Sequence, residues 1–220
     1  FTNITHEIRT PLSLIRGPYE QIVRPGIRPS DYKENLKIMG ANIDRLLNLS
    51  NQLLDFQKID SAGFALNRSD VNLNDLLERC MLQFAQKMQQ KGIRSCVSVP
   101  DDQVVLYADE EALTKIVCNL LDNAVKYGAE GGHITLTLEK TDRQARLTVS
   151  NPGDPIPPEH LAHLFERFYR ADASRGEKSG FGLGLAIADT IAWEHKGALK
   201  AESDAASTRF TFTMPLRKQA

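Results

Sequence analysis

Ile4, Ile8, Leu12, Ile15, Tyr19 and Ile22 recur along the opening of the chain, and at about 100° per residue they fall within an arc of roughly 80°. The spacing predicts a helix from Thr2 to Val23, with Pro11 inside it removing one backbone donor. Pro25, Gly26 and Pro29 end that helix. From Ser30 or Asp31, either of which can cap, Leu36, Met39, Ile43, Leu46, Leu47, Leu53 and Leu54 return at helical spacing as far as Asp60. Helices joined by so short a turn form an antiparallel hairpin, residues 1–62. A piece of about 60 residues cannot enclose both apolar stripes, which predicts pairing with a second copy as a dimeric four-helix bundle. Packing against the rest of its own chain is the alternative.

Ser61, Ala62 and Gly63 open a hinge, residues 63–69 read as linker, and the pattern then changes. Asn72 or Asn74 can cap a helix carrying Leu73, Leu76, Leu77, Met81, Phe84 and Met88, whose methionines read as core filler. Short strands follow at Arg94–Val99 and Val104–Tyr107, then a helix over Asp109–Lys126. A hairpin pairs His133–Glu139 with Ala145–Ser150. A helix from Leu183 to His195 and strands at Ala198–Ser203 and Thr208–Met214 close the chain. Residues 70–220 thus predict an α/β sandwich, a mixed sheet covered by helices on one face, and the whole an α+β multidomain chain.

Composition narrows the partners. A net charge of −1, with both signs mixed, leaves no electrostatic footprint for nucleic acid or an anionic membrane surface. Cys80, Cys96 and Cys118 have no metal-ligand spacing and read as small core residues of a reducing compartment. No apolar run approaches the ~20 residues of a membrane helix. The chain opens at Phe1 in what should be mid-helix, which predicts a piece of a longer polypeptide.

Against this frame the polar positions stand out. His6 sits roughly 165° from the middle of the first stripe, with Thr10 one turn further on the same side, so the imidazole should face solvent. Glu7 can hold one ring nitrogen and leave the other free as a nucleophile or phosphoryl acceptor. Taken alone, such a pair is usually just solvated.

In the helix over Asp109–Lys126, the residues Asn119, Asn123 and Lys126 lie within roughly 60° of one another, opposite Leu113, Val117, Leu120, Leu121 and Ala124. Amide oxygens suit Mg²⁺, and amide and ammonium groups can donate to phosphate. Asn151-Pro152-Gly153-Asp154-Pro155-Ile156 leaves a strand as a tight turn, where the Asn151 oxygen can accept from an adenine amino group. Leu164 to Arg170 precedes a small, charged run, Ala171 to Ser179, which reads as a mobile lid or as a plain surface loop. Gly180-Phe181-Gly182-Leu183-Gly184-Leu185 then opens a helix, where backbone amides can approach phosphate. It lacks the Gly-Lys-Ser/Thr of a P-loop and the strand context of a dinucleotide-binding unit.

Together these segments resemble the kinase core of a bacterial sensor histidine kinase along essentially the whole chain. Thr5 to Leu12 resembles the phosphoacceptor box, Asn119 to Tyr127 the N box, and Asn151 to Ile156 the first glycine box. Phe165 to Phe168 resembles the F box and Gly180 to Leu185 the second glycine box. The resemblance implies a dimerisation and histidine phosphotransfer hairpin followed by a Bergerat-type ATP-binding sandwich, shared with gyrase, the Hsp90 chaperones and MutL. By position, it implies that His6 accepts the γ-phosphoryl group of ATP, that Glu7 orients or deprotonates it, and that Thr10 positions water in dephosphorylation. Asn119 would hold Mg²⁺, Asn123 and Lys126 the phosphates, and Tyr127 would border the base, with Ile156 and Phe168 also among the nucleotide-binding residues. Gly153 belongs to the base-side turn, and Gly180, Gly182, Leu183, Gly184 and Leu185 to the phosphate loop.

The implied partners are a second copy and a response-regulator receiver domain, separate or fused after Ala220. The implied setting is the cytoplasmic portion of an inner-membrane sensor. One departure stands out: Pro155 stands where the second glycine is usual, and Asn151 replaces the usual Asp, a neutral bond in place of a charge-assisted one that should weaken binding by about 1 kcal/mol. Two rivals follow, a non-signalling ATPase of the same fold, which leaves the His6 face unexplained, and a degenerate dimeric scaffold.

Overall fold

The first apolar stripe winds into α1, Thr2–Ile22, which runs on through Pro11 and Pro18. The computed structural model describes residues 2–60, 65–171 and 180–216, and it divides into two units, Phe1–Asp60 and Ser61–Ala220. The hinge expected at Ser61 to Gly63 lies outside the described residues.

In the first unit α1 pairs with α2, Pro29–Asp60. Proline suits that first helical position, where its missing N–H has no intrahelical partner to lose. The side chains α2 buries include Asn35, Asn42 and Leu49, at heptad spacing. Asn35 Nδ2 donates to Gln21 Oε1 at 3.2 Å, and Asn42 Nδ2 to Ile38 O at 2.9 Å. The apolar row lies a step round the helix. Leu36, Ile43, Leu47 and Leu54, with Leu12 and Tyr19 of α1, stay between 45% and 58% exposed. The hairpin leaves open the faces it was expected to be too small to enclose. Glu7 of α1 meets Arg45 of α2 at 3.7 Å.

The second unit starts with β1, Ser69–Asn72, and α3, Leu73–Gln90. Asn72 caps α3 by accepting from Asn74 N at 3.0 Å. Asn74 instead closes the following loop, accepting from Val104 N at 3.1 Å. Then come β2, Arg94–Ser98, β3, Val105–Ala108, and α4, Glu110–Tyr127. Asp109 caps α4, accepting from Ala112 N at 2.9 Å. The hairpin of β4, His133–Lys140, and β5, Gln144–Asn151, leads to the short α5, Pro158–Leu161. Last are α6, Gly184–Glu194, β6, Ala198–Ser203, and β7, Thr208–Pro215.

The main sheet has the order β2-β4-β5-β7-β6, with β2 parallel to β4 and the other pairs antiparallel. Period-2 alternation turns Ile134, Leu136, Leu138, Leu147, Val149, Phe210 and Phe212 inward. They meet Leu76, Leu77, Leu113, Leu120, Ile187 and Ile191 of α3, α4 and α6 in the core, each such side chain contributing roughly 1.5–3 kcal/mol by leaving water. Two details differ from the sequence reading. β1, starting in the expected linker, pairs with β3 as a separate ribbon, and residues 67 and 68 are already fastened here, Asn67 N to Asp109 Oδ2 at 2.8 Å and Arg68 to Glu194 O at 3.0 Å. Cys96 is exposed, because β2 is an edge strand whose residues all face solvent. No helix among the described residues is long and apolar enough to cross a membrane.

Candidate functional site

The polar stripe of α4 forms as its spacing predicts. Asn119, Asn123 and Lys126 are half-buried on one face, with Leu113, Val117, Leu120, Leu121 and Ala124 buried opposite. The helix itself aims the amides: Asn119 Nδ2 donates to Lys115 O at 2.9 Å and Asn123 Nδ2 to Asn119 O at 3.0 Å. That occupies the nitrogen ends and leaves oxygen as the acceptor each presents. Lys126 pairs with Asp122 one turn back, and Asp122 also meets Lys87 of α3 at 3.7 Å.

The glycine run arrives against this row. A Cβ at Gly184 would lie 2.6 Å from Asn119 Oδ1, and one at Gly180 3.2 Å from Lys126 Nζ. At Gly184 only a bare backbone approaches so closely, whereas beside Gly180 the neighbour is the flexible end of a lysine. No side chain caps α6, so its first turn presents N–H groups beside the amides, an arrangement that suits an anion. Leu183 is buried and Leu185 half-buried.

Phe168 joins this loop through the backbone. Its N–H donates to Gly182 O at 2.9 Å, with Phe168 at φ 64° and Gly182 at φ 70°. A Cβ on Gly182 would fall 2.7 Å from Tyr169 O. Two histidines that the sequence reading passed over brace the segment. His160 Nδ1 bonds to the Tyr169 hydroxyl at 2.7 Å, and His163 Nδ1 to Glu166 Oε1 at 2.6 Å. Their spacing from Tyr169 across a short helix was the available signal. Residues 172–179, nearly all of the expected lid, lie outside the described residues.

At the end of β5, Asn151 is buried. Its Nδ2 donates to Pro152 O at 3.3 Å, and its Oδ1 has no donor among the described residues. Gly153 brings the turn onto α4, where a Cβ would meet Tyr127 O at 2.9 Å. Tyr127 itself is exposed, and Ile156 N donates to Ser203 Oγ at 2.9 Å. α4, the turn after β5, Phe168 and the glycine run thus converge within one unit.

A further buried group ties this site together. His195 donates from Nδ1 to Ile191 O at 2.9 Å and accepts at Nε2 from Asp109 N at 3.1 Å, joining the end of α6 to the cap of α4. Burial holds its pKa below the ordinary histidine value. The sequence marks it only as a helix end.

In the first unit His6 and Thr10 are both exposed, and Thr10 Oγ1 donates to His6 O at 3.3 Å. Glu7 is half-buried and engaged by Arg45, a partner the sequence gives no means of finding.

Residues 1–62 match the His Kinase A (phospho-acceptor) domain, and residues 108–218 match the histidine kinase-, DNA gyrase B-, and HSP90-like ATPase family. The sensor protein SrrB of Staphylococcus aureus is 34% identical over 97% of this chain, which spans 37% of that relative's length. Among solved structures, histidine kinase ThkA in complex with response regulator protein TrrA has a TM-score of 0.82 and 26% identity, over 99% of this chain and 62% of that one. ShkA in complex with AMPPNP has a TM-score of 0.74 and 27% identity, over 100% of this chain and 46% of that one. The Acinetobacter baumannii histidine kinase AdeS shares the fold, with a TM-score of 0.78 and 20% identity, over 97% of this chain and 98% of that one.

Proposed function

The chain belongs to the sensor histidine kinase family, and from that premise we propose that it moves the γ-phosphoryl group of ATP onto His6 and then to an aspartate of a response regulator. The observation that carries this reading is an exposed imidazole on α1 in the same chain as an amide row met by a glycine-led helix N-terminus. Donor and acceptor belong to separate units, so transfer requires the ATP-binding unit to present its nucleotide to a hairpin.

Phosphoryl transfer asks the protein chiefly to place the groups in line and to neutralise charge. The first-turn N–H groups of α6 and the Lys126 ammonium, released from Asp122, would hold the phosphates with Asn123. Asn151 Oδ1 would accept from the adenine amino group, with Tyr127, Ile156 and Phe168 around the base. The free nitrogen of His6 attacks the γ-phosphorus while the bond to the ADP oxygen breaks. Glu7 orients the ring or takes its proton.

The donor set fits magnesium carried in on the nucleotide. Asn119 offers a hard oxygen beside the anion-binding end of α6, and no cluster of three His, Cys, Asp or Glu among the described residues can hold a metal by itself. Most of the ion's ligands would then be phosphate and water. When bound, it would offset the charge of the phosphates.

The open apolar faces of α1 and α2 and the phospho-acceptor domain match support a homodimer through the hairpin. ThkA with its response regulator supports a receiver domain as partner, docking near His6 and Thr10, where Thr10 would position water for hydrolysis of the regulator's phospho-aspartate, releasing inorganic phosphate. The greater length of SrrB supports a longer parent protein; on the family resemblance alone, that parent would be anchored in the inner membrane with this region on the cytoplasmic side.

Incubation with γ-labelled ATP and Mg²⁺ tests the reading. Acid-labile, base-stable label that disappears in His6→Gln and in Asn119→Ala is expected. ATP hydrolysis that His6→Gln leaves unchanged, with no label on the protein, would point to a non-signalling ATPase, and absence of nucleotide binding to a scaffold.

A further inference from the structure

We propose that Cys80 and Cys118 form a dithiol that hydroperoxides convert to an intramolecular disulfide, and that this bond weakens nucleotide binding on the neighbouring face of α4. Both cysteines are free, and their Sγ atoms lie 4.0 Å apart between α3 and α4. A disulfide is about 2.05 Å long, so closure takes roughly 2 Å of travel shared by two side chains on helices already in contact. Cys80 is buried and Cys118 half-buried. Cys118 Sγ lies 3.5 Å from Gln83 Oε1, and one turn along the same groove Lys87 meets Asp122 at 3.7 Å. Cys118 is therefore the thiol an oxidant reaches, and Cys80 the one that resolves it.

The chemistry closes without a further reductant or oxidant. Cys118 Sγ attacks an oxygen of the hydroperoxide, the O–O bond breaks, and the alcohol leaves with the thiol proton, giving a sulfenic acid. Cys80 Sγ attacks that sulfur, the S–O bond breaks, and hydroxide leaves as water with the Cys80 proton. Two thiols and one hydroperoxide give one disulfide, one alcohol and one water.

The consequence for nucleotide follows from what adjoins Cys118. Asn119 is the next residue, and its Oδ1 already fills the space a Cβ at Gly184 would need. Drawing this turn of α4 towards α3 opens the contact with α6. Asp122, shared between Lys87 and Lys126, carries the same displacement to the phosphate lysine. This second half rests on the nucleotide reading above, while the disulfide itself does not.

The test uses the 220-residue chain with the exposed Cys96 replaced, Cys96→Ser. After treatment with hydrogen peroxide and alkylation, mass spectrometry of the digest is expected to find the Cys80 and Cys118 peptides linked. Dithiothreitol should release the link, and Cys118→Ser and Cys80→Ala should lack it. AMPPNP affinity by calorimetry should fall about fivefold or more on oxidation, recover on reduction, and stay unchanged by peroxide in both variants. Two alkylated thiols after peroxide, or overoxidised Cys118 with no link, overturn the dithiol. A linked protein with unchanged affinity overturns the coupling. Failure of the reduced protein to bind AMPPNP overturns the nucleotide reading and the coupling with it, and the linked peptides still decide the disulfide.

Discussion

Asn119 Oδ1 stands 2.6 Å from the point where Gly184 would carry a Cβ, so α4 and α6 meet there with no room for a methyl group. The collision involves a side chain held by its own hydrogen bond to Lys115 O at 2.9 Å, so it cannot simply swing away. Gly184→Ala is expected to lower stability by about 1–3 kcal/mol and to weaken nucleotide binding. Adding Asn119→Ala should restore much of the stability and none of the affinity. A denaturant double-mutant cycle checks this, and equal destabilisation by Gly184→Ala in both backgrounds would refute the contact.

His195 makes stability depend on pH. It is 2% exposed and held neutral by burial, with one ring nitrogen donating and the other accepting. Its folded pKa is depressed, so below about pH 6.5 the unfolded chain binds a proton that the folded chain refuses. This contribution is full above that pH and is lost as pH falls through the window, with a slope of up to about 1.4 kcal/mol per pH unit. Urea midpoints measured between pH 7.5 and 5.5 should drop more steeply in the wild-type chain than in His195→Asn. Parallel curves would remove His195 from the account.

The longer helices and the paired strands of the main sheet were legible because burial imposes a period, which α4 follows residue by residue, whereas the four-residue α5 buries nothing and was not. The amide row was legible for the same reason, since polar residues at helical spacing on an apolar helix leave few places for them to face. Less regular contacts were not. β1 has one buried residue, Val71, in four, too little to show alternation. In α2 the seam buried within one chain runs through Asn35 and Asn42 while Leu36 and Ile43 stay exposed, so hydrophobicity marks the face left open for a second copy and gives no sign of the polar seam inside the hairpin. The pairing of Glu7 with Arg45, and of Cys80 with Cys118, depends on which helices meet, which no local pattern encodes.

The two glycines ahead of α6 should respond differently to a methyl group. Gly182 has φ 70°, and its added Cβ would press on the backbone of Phe168 and Tyr169. Gly182→Ala is expected to cost about 1–3 kcal/mol through strain and the broken dock of Phe168. At Gly180 the added atom meets the end of a flexible lysine at 3.2 Å. Gly180→Ala should therefore leave stability within about 0.5 kcal/mol and reduce nucleotide affinity by hindering Lys126. Thermal melts alongside AMPPNP titration separate the two effects, and a Gly180→Ala melt as depressed as that of Gly182→Ala would show the distinction to be wrong.

Asn151→Asp sets two opposed effects against each other. The present side chain is 4% exposed and donates only a long, 3.3 Å bond to Pro152 O, an oxygen that also accepts from Ala129 N at 3.0 Å. Losing that bond matters little, but a carboxylate there is desolvated with no partner until nucleotide arrives, which should cost the free protein about 1–3 kcal/mol. With adenine bound, the same carboxylate accepts a charge-assisted bond from the amino group in place of a neutral one, a gain of about 1 kcal/mol or about fivefold in affinity. The variant should melt lower than the wild type without ligand, regain about 1 kcal/mol of that deficit at saturating ATP, and prefer ATP over GTP more strongly. A purine with oxygen in place of that amino group offers the carboxylate an acceptor, so repulsion adds to the discrimination. Should ATP bind no tighter to the variant, with its preference over GTP unchanged, Asn151 does not read the base, and the adenine edge must be sought elsewhere around the turn.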